Sequence, residues 1–410
     1  MPNLSENISR RIDSVDLLRG LVMIIMVLDH VREYVHADAF HFNPTDLSKT
    51  SVILFFTRWV THFCAPTFVF LAGTSIYLQL LRGKSRGELS RFLLTRGLWL
   101  ILLEFTVVRF SILFNFDYHF LGFAEVIWIF GVSMIALAGL VYLPVGGVAI
   151  FGIAIVALHN LLDTIGVPPA TAMSPMTGGP PPDIWQKLFM FLHQPGAVPL
   201  GDSVTMFVAY PILPWIGVMA LGYALGSVYS WEAAKRKRFL FRLGIALTFL
   251  FVIVRAINIY GDPSPWSTQT SAVFTFLSFL NTTKYPVSLL FLLMTIGPAM
   301  LVLAAADGMR ADNWLKRIPV TFGRVPLFYF ILQMFFAHAA GALLGYLAGK
   351  DIHNFFANFP ELATTAPPDV GFPLWVVYVV WIVCLIVLYP LCLWYGKLKR
   401  GKHGFPFSYL

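Results

Sequence analysis

Asp29, His30, Arg32 and Glu33 close the apolar run that begins after Arg19. An imidazole with an unperturbed pKa of ~6.5 can take a proton from a hydroxyl or an amine near neutral pH. A carboxylate on its second nitrogen would orient the ring and stabilise the imidazolium. Asp29 is adjacent to His30, but adjacent helical side chains do not face each other, so Glu33, three residues on, is the better placed of the two. A second segment, FFTRWVTHFCAPTFVFLAG, adds Arg58 and His62, four residues apart and hence expected on one helix face. Between them lie His36, Asp38, His41 and Asp46. The same groups also suit a polar collar at a membrane boundary, with Arg32 and Glu33 reaching for water, and the residues alone leave both readings open. No His-x3-His pair and no compact Cys/His set is present, so no metal is expected.

The elements that must carry these groups are apolar. Of 410 residues, 58% are hydrophobic and 12% charged, against about 25% charged in ordinary soluble chains. Mean hydropathy is +0.73. Several runs reach the ~20 residues that cross ~30 Å of hydrocarbon, and they are continuously apolar, which excludes a barrel. The reading is an all-α polytopic membrane protein with about ten transmembrane helices, nine to eleven being compatible. Windows fall near 17–35, 52–81, 92–111, 121–141, 144–161, 204–230, 239–259, 286–306, 320–349 and 373–395. Residues 1–410 form a single transmembrane domain on this reading, with no sizeable soluble part.

Most Lys and Arg residues lie before the first span and in 82–96, 235–242, 310–324 and 397–402. Alternating ten spans puts all of these on one side, which the positive-inside bias makes cytoplasmic, together with both termini. The formal charge of +8 then needs no nucleic-acid partner, because anionic membrane lipids beside these loops suffice. The longest loop on the opposite side, 162–203, is rich in Pro and Gly. Its GVPPATAMSPMTGGPPPD is not expected to form regular helix, whereas DIWQKLFMFL reads as a short interfacial amphipathic helix. Cys64, Cys384 and Cys392 give no disulfide framework.

Other polar positions are sparser. Asp16 and Arg19 are three apart and can pair, or Arg19 can hold an anionic cofactor. Glu104, Arg109, Glu125, His338 and the Arg255/Asn258 pair either pack between helices or line a polar tunnel. Gly222 and Gly226 form a small-x3-small helix-packing pattern. Neither a phosphate-binding P-loop nor a GxSxG elbow occurs.

RRIDSVDLLRGLVMIIMVLDHVREY, followed by FFTRWVTHFCAPTFVFLAGTSIYL, resembles bacterial members of the heparan-alpha-glucosaminide N-acetyltransferase catalytic-domain family, within the transmembrane acyltransferase superfamily. FGRVPLFYFILQMFFAH and YPLCLWYGKLKRGKHGFPFSYL extend the resemblance along nearly the whole chain. The superfamily's Arg-x10-His pattern falls on Arg19 and His30, and the family's Asp-x2-Arg-Gly opening falls on Asp16, Arg19 and Gly20. In the lysosomal enzyme the important histidine lies in the loop before span 2. An ungapped count from Arg19-Gly20 brings His41 opposite it, so His41 stands beside His30 as the alternative base. What the resemblance implies is transfer of an acyl group, commonly acetyl from acetyl-CoA, to an amine or hydroxyl of a sugar or glycan acceptor, with a histidine as general base or as acyl carrier. The catalytic set is then His30, His41, His62, Asp29 and Glu33. The donor-binding set is Arg19, Asp16, Arg58, Arg255 and Asn258. The implied location is the inner (cytoplasmic) membrane, multi-pass, with a homodimer left open as the assembly. A multi-helix transporter of a polar metabolite, or a membrane protein without turnover, are the alternative classes.

Overall fold

The computed structural model describes residues 12–307, 309, 314–364 and 371–401. The basic residues ahead of Ile12, those of 310–313, and the quoted C-terminal phrase beyond residue 401 lie outside the described residues. The molecule is predominantly helical, and among the described residues seven helical stretches are long and apolar enough to cross a membrane. They are Val52–Leu81, Val145–Ile165, Ile212–Ser230, Ala233–Ile257, Leu289–Ala306, Pro326–Leu347 and Leu374–Lys399. This is the pattern of a multi-pass membrane protein.

Three of the ten expected windows are absent from that set: 17–35 and 92–111, which carry the most charge, and 121–141, whose helix is short. Helix α1 (Asp13–Val35) is 23 residues long but carries Asp16, Arg19, Asp29, Arg32 and Glu33. The second stretch is two helices, α2 (Val52–Thr61) and α3 (Cys64–Leu81). The break follows from Pro66, which has no N–H to return to the carbonyl of His62. Helix α4 (Arg86–Leu103) starts from a Ser85/Glu88 capping box and runs on through a π-helical turn at Glu104–Val108 and a last turn at Arg109–Leu113. The window at 121–141 is shorter than expected, because Phe120–Ala124 is strand β1 and only α5 (Val126–Leu140) is helical.

That strand corrects the all-α expectation. β1 pairs in parallel with β3 (Thr205–Val208), which pairs antiparallel with β2 (Gly196–Pro199). β1 alternates buried and partly buried residues, but it is five residues long and its FLGFA reads as part of an apolar run. β3 likewise takes the first residues of the window expected at 204–230. The proline-rich segment departs from expectation too, since Pro169–Thr177 is a helix. Pro169 sits in the first turn, where no donor is needed. Pro175 cannot donate to the Thr171 carbonyl, and the Ser174 hydroxyl lies 2.9 Å from that oxygen and 2.6 Å from the Pro180 carbonyl, to which it also ties the helix. The amphipathic segment is α6 in the interval Ile184–Leu192, with Ile184, Trp185, Leu188 and Leu192 exposed.

The rest of the bundle is α7 (Ile212–Gly226), α8 (Ala233–Ile257), α9 (Leu289–Ala306), α10 (Trp314–Gly323), α11 (Pro326–Leu347) and α12 (Leu374–Gly401), with a further apolar helix at Val145–Leu158. α1 lies at the centre, against α2, α3, α9, α10, α11 and α12. Its mid-helix carbonyls accept side-chain hydrogen bonds from three of these helices. Cys64 donates to Val22, Tyr329 to Met23 and Trp381 to Ile24, at 3.2, 3.0 and 2.8 Å.

Close backbone approach fixes the crossings. A Cβ on Gly20 would meet the Pro319 carbonyl oxygen at 1.7 Å, and one on Gly323 would meet the Asp16 oxygen at 1.9 Å. Gly222 abuts the Phe70 carbonyl and Gly226 the Tyr77 side chain, so the small-x3-small pair packs α7 on α3. Gly20→Ala and Gly323→Ala are each expected to lower stability by about 1–3 kcal/mol through overpacking. Gly87→Ala, with open space around it, should leave thermal unfolding of the detergent-solubilised protein unchanged or slightly raised. Equal unfolding temperatures for all three variants would refute this account of the α1–α10 crossing.

Candidate active site

α1, α3, α4, α5 and the start of α11 enclose a cavity of ≈ 600 Å³. At one end stand Asp16, Arg19, Gln79, Arg82 and Arg96; at the other stand Asp29, His30, Glu125, Tyr210 and Lys284. The wall between is apolar, including Phe68, Phe130 and Leu100. Arg19 and His30 thus line one space from a single helix.

Arg19 is held from three sides. One guanidinium nitrogen donates to Asp16 and to the Gly323 carbonyl, each at 3.1 Å, and the other donates to the Ser75 hydroxyl at 2.6 Å. The Gly20–Gly323 approach brings that carbonyl within reach, so the α1 phrase and the FGR phrase near the C-terminus meet physically. Arg96 lines the same end of the cavity.

His30 is partly buried, with its ring edge-on to Phe330. Its Nδ1 lies 2.8 Å from Oε1 of Gln333, a fully buried residue of α11. Among the described residues no carboxylate is hydrogen-bonded to the ring. Glu33, expected to face it, is exposed and lies 3.5 Å from Arg32 and 3.9 Å from Arg58. Asp29 turns to the same two arginines, with Arg32 at 3.1 Å and a close ion pair to Arg58. All three members of the Arg32–Asp29–Arg58 cluster are buried. Two positive charges on one carboxylate, with Glu33 at the rim, leave the cluster neutral overall, which is what burial at this depth requires.

His41 is exposed and lines a separate, shallower pocket of ≈ 350 Å³ with Arg32, Glu33, Asn43 and Arg58. The buried ion cluster stands between the two spaces: Asp29 faces the His30 cavity, and Arg32 and Arg58 face the His41 pocket. His62 lines neither. It follows the end of α2, buried against Phe291, and its Nδ1 has no hydrogen-bond partner among the described residues.

Arg255 and Asn258, expected to bind the donor, build a loop instead. The Arg255 guanidinium donates to the carbonyls of Ser264, Ser278, Phe279 and Asn281. Asn258, in the left-handed region at φ 60°, exchanges hydrogen bonds with the backbone of Trp266. Neither lines the cavity. Their donors are consumed by backbone carbonyls that sequence spacing cannot reveal. Arg109 likewise organises residues 115–120. Glu104 accepts from the Trp128 N–H at 2.5 Å, at the otherwise uncapped start of α5. His338 lies between the carbonyls of Ser111 and Phe355 and stacks on Tyr34 and Phe114.

The sequence of the family described as "Heparan-alpha-glucosaminide N-acetyltransferase, catalytic" matches residues 11–260. The chain belongs to this family. The match covers α1 to α8, including Arg19, His30 and His41, and ends before Lys284, Gly323 and Gln333. No curated protein sequence matches the chain. Membership makes this a membrane-associated, acyltransferase-like protein. Among the described residues no group of three or more His, Cys, Asp or Glu side chains is arranged to hold a metal ion.

Lys284 and Gln333 went unnoticed in the sequence. For Gln333 a signal existed: it is the one amide in the 22-residue helix Pro326–Leu347, and an amide at that depth must find a partner. Lys284 comes from a loop, with its ammonium over the rings of Tyr210 and Tyr285, and nothing in its surroundings in the chain marks it. Removing Asp29 leaves two buried guanidinium groups without their carboxylate. Asp29→Ala should therefore cost about 3–5 kcal/mol. Arg58→Ala should cost less, because Asp29 keeps Arg32. Chemical or thermal unfolding of the two variants checks that order, and a larger loss for Arg58→Ala would contradict it.

Proposed function

We propose that this protein transfers a small acyl group, acetyl foremost, from cytoplasmic acyl-CoA to an amine or hydroxyl of a sugar or glycan on the opposite side of the membrane. His30 is the base. The observation that carries the reading is that Arg19 and His30 line the same cavity. Eleven helical rises separate them, roughly 16 Å along α1. An extended phosphopantetheine arm is of comparable length, so a donor whose phosphates lie near Arg19, Arg82 and Arg96 would carry its thioester to His30. Guanidinium groups suit phosphate through charge-assisted hydrogen bonds, and the apolar wall suits the arm between.

In this reading the whole chain is one membrane domain of about ten spans, placed in the inner (cytoplasmic) membrane with both termini cytoplasmic. The Arg19 end faces the basic loops. The acceptor approaches from the His30 end, where Glu125, Lys284 and Tyr210 supply polar contacts. His30 takes the proton from the acceptor as it attacks the thioester carbonyl, and a nearby donor such as the Lys284 ammonium stabilises the oxyanion. His41, on the far side of the ion cluster, is left to acceptor approach rather than to the chemistry. Asp29, Arg58 and Glu33 hold α1 against α2, and His62 packs.

Turnover of labelled acetyl-CoA by purified protein, with a panel of amino sugars and glycans, tests this. His30→Ala should lower the rate about 10²- to 10⁴-fold, the range for loss of a general base, while His41→Ala retains most of it. Retained turnover in His30→Ala with loss in His41→Ala would move the base to the outer pocket.

A further inference from the structure

The hydrogen bond between His30 and Gln333 determines which nitrogen of His30 can react. Gln333 is fully buried, and its Nε2 donates to the Phe330 carbonyl at 3.1 Å. A carbonyl oxygen only accepts, so the amide nitrogen must face it, and Oε1 must face His30. Nδ1 of His30, 2.8 Å from that oxygen, therefore carries the hydrogen and donates. A neutral imidazole with its proton on Nδ1 has its lone pair on Nε2.

We infer that Gln333 is a positioning residue that fixes His30 in the Nδ1–H tautomer, so that Nε2 is the base and acyl transfer is direct. The inference rests on the reading of His30 as the base. An amide oxygen can accept a hydrogen bond but cannot take the proton away. Were the acyl group carried on Nε2, the ring would remain a cationic acyl-imidazolium, since no carboxylate waits at Nδ1 to neutralise it. Direct attack avoids that species. The acceptor nitrogen or oxygen bonds to the thioester carbon while its proton passes to Nε2. The carbon–sulfur bond then breaks, and the leaving thiolate takes that proton from Nε2, giving acylated acceptor and free thiol.

The charged groups at this end of the cavity come from three elements. Asp29 lies on α1 itself, Glu125 at the start of α5, and Lys284 in the loop before α9. Asp29 is engaged by Arg32 and Arg58, and Gln333 is the hydrogen-bond partner of the His30 ring among the described residues. The partner at Nδ1 is thus a neutral amide.

Three variants read this out in the acetyl-CoA turnover assay. Gln333→Leu frees the ring and should lower kcat at least about tenfold with the KM for acetyl-CoA little changed. Gln333→Asn, which keeps the amide on a shorter arm, should fall between Gln333→Leu and the parent. Gln333→Glu places a carboxylate at Nδ1 and stabilises the imidazolium. Because the base acts in its neutral form, the acidic limb of the kcat/KM profile should move to higher pH. Acid quenching during turnover should trap no labelled acetyl on the protein. Parental rates and pH profiles in all three variants, while His30→Ala is inactive, would overturn the role of Gln333 and leave His30 standing. Label trapped on His30 would overturn direct transfer. Full activity in His30→Ala would instead remove the reading on which both rest. If Gln333→Leu fails to fold, the Gln333→Glu profile decides, since a purely structural role would not shift it.

Discussion

Asp29 is buried between the guanidinium groups of Arg32 and Arg58, and the position of α1 in the bundle depends on that cluster. A buried carboxylate is tolerated only when its charge is matched, and here one match comes from the same helix and one from α2. This ties α1 to α2 at one end. At the other end Arg19 reaches the Gly323 carbonyl and Ser75, which ties α1 to α10 and α3. Between these two polar anchors the helix is apolar and mostly buried, with Met26 facing the cavity. His30 and Arg19 are exposed to that space because the anchors have already fixed the rotation of the helix.

The outline of this arrangement was legible in the residues. The apolar runs gave the helical stretches, and the charges of α1 marked the helix on which the site is built. The segment that adds Arg58 was marked as part of the same polar set, and the Asp29–Arg58 pair joins α2 to α1. The partners were not legible. Asp29 and Glu33 looked like supports for His30, yet both serve arginines, because a buried guanidinium competes for a carboxylate more strongly than a neutral imidazole does. Arg255 and Asn258 looked like ligand groups because intramembrane polar residues often are, but their partners are backbone groups that only folding brings together. The Pro169–Thr177 helix was missed because one of its prolines sits in the first turn, where no donor is needed, and the other only two residues from the helix end. β1 was missed because five apolar residues read the same in a strand and in a span.

The family match stops at residue 260, and several groups that complete the cavity lie beyond it. Gly323 receives Arg19, Gln333 receives His30, and Lys284 and Phe330 line the His30 end. The C-terminal helices are therefore not a separate appendage in physical terms. α10, α11 and α12 pack directly on α1 and supply the surface against which its reactive face is set. A site divided this way links the chemistry to the folding of the whole chain.

The central claim is that one continuous cavity brings a CoA-type donor at Arg19 together with a base at His30. An experimental structure of the full chain with a non-hydrolysable acyl-CoA analogue tests it most directly. The account predicts density for the phosphates beside Arg19, Arg82 and Arg96, with the acyl carbon within reach of Nε2 of His30. Density in the outer pocket beside His41, or an analogue bound on a face remote from α1, would contradict it.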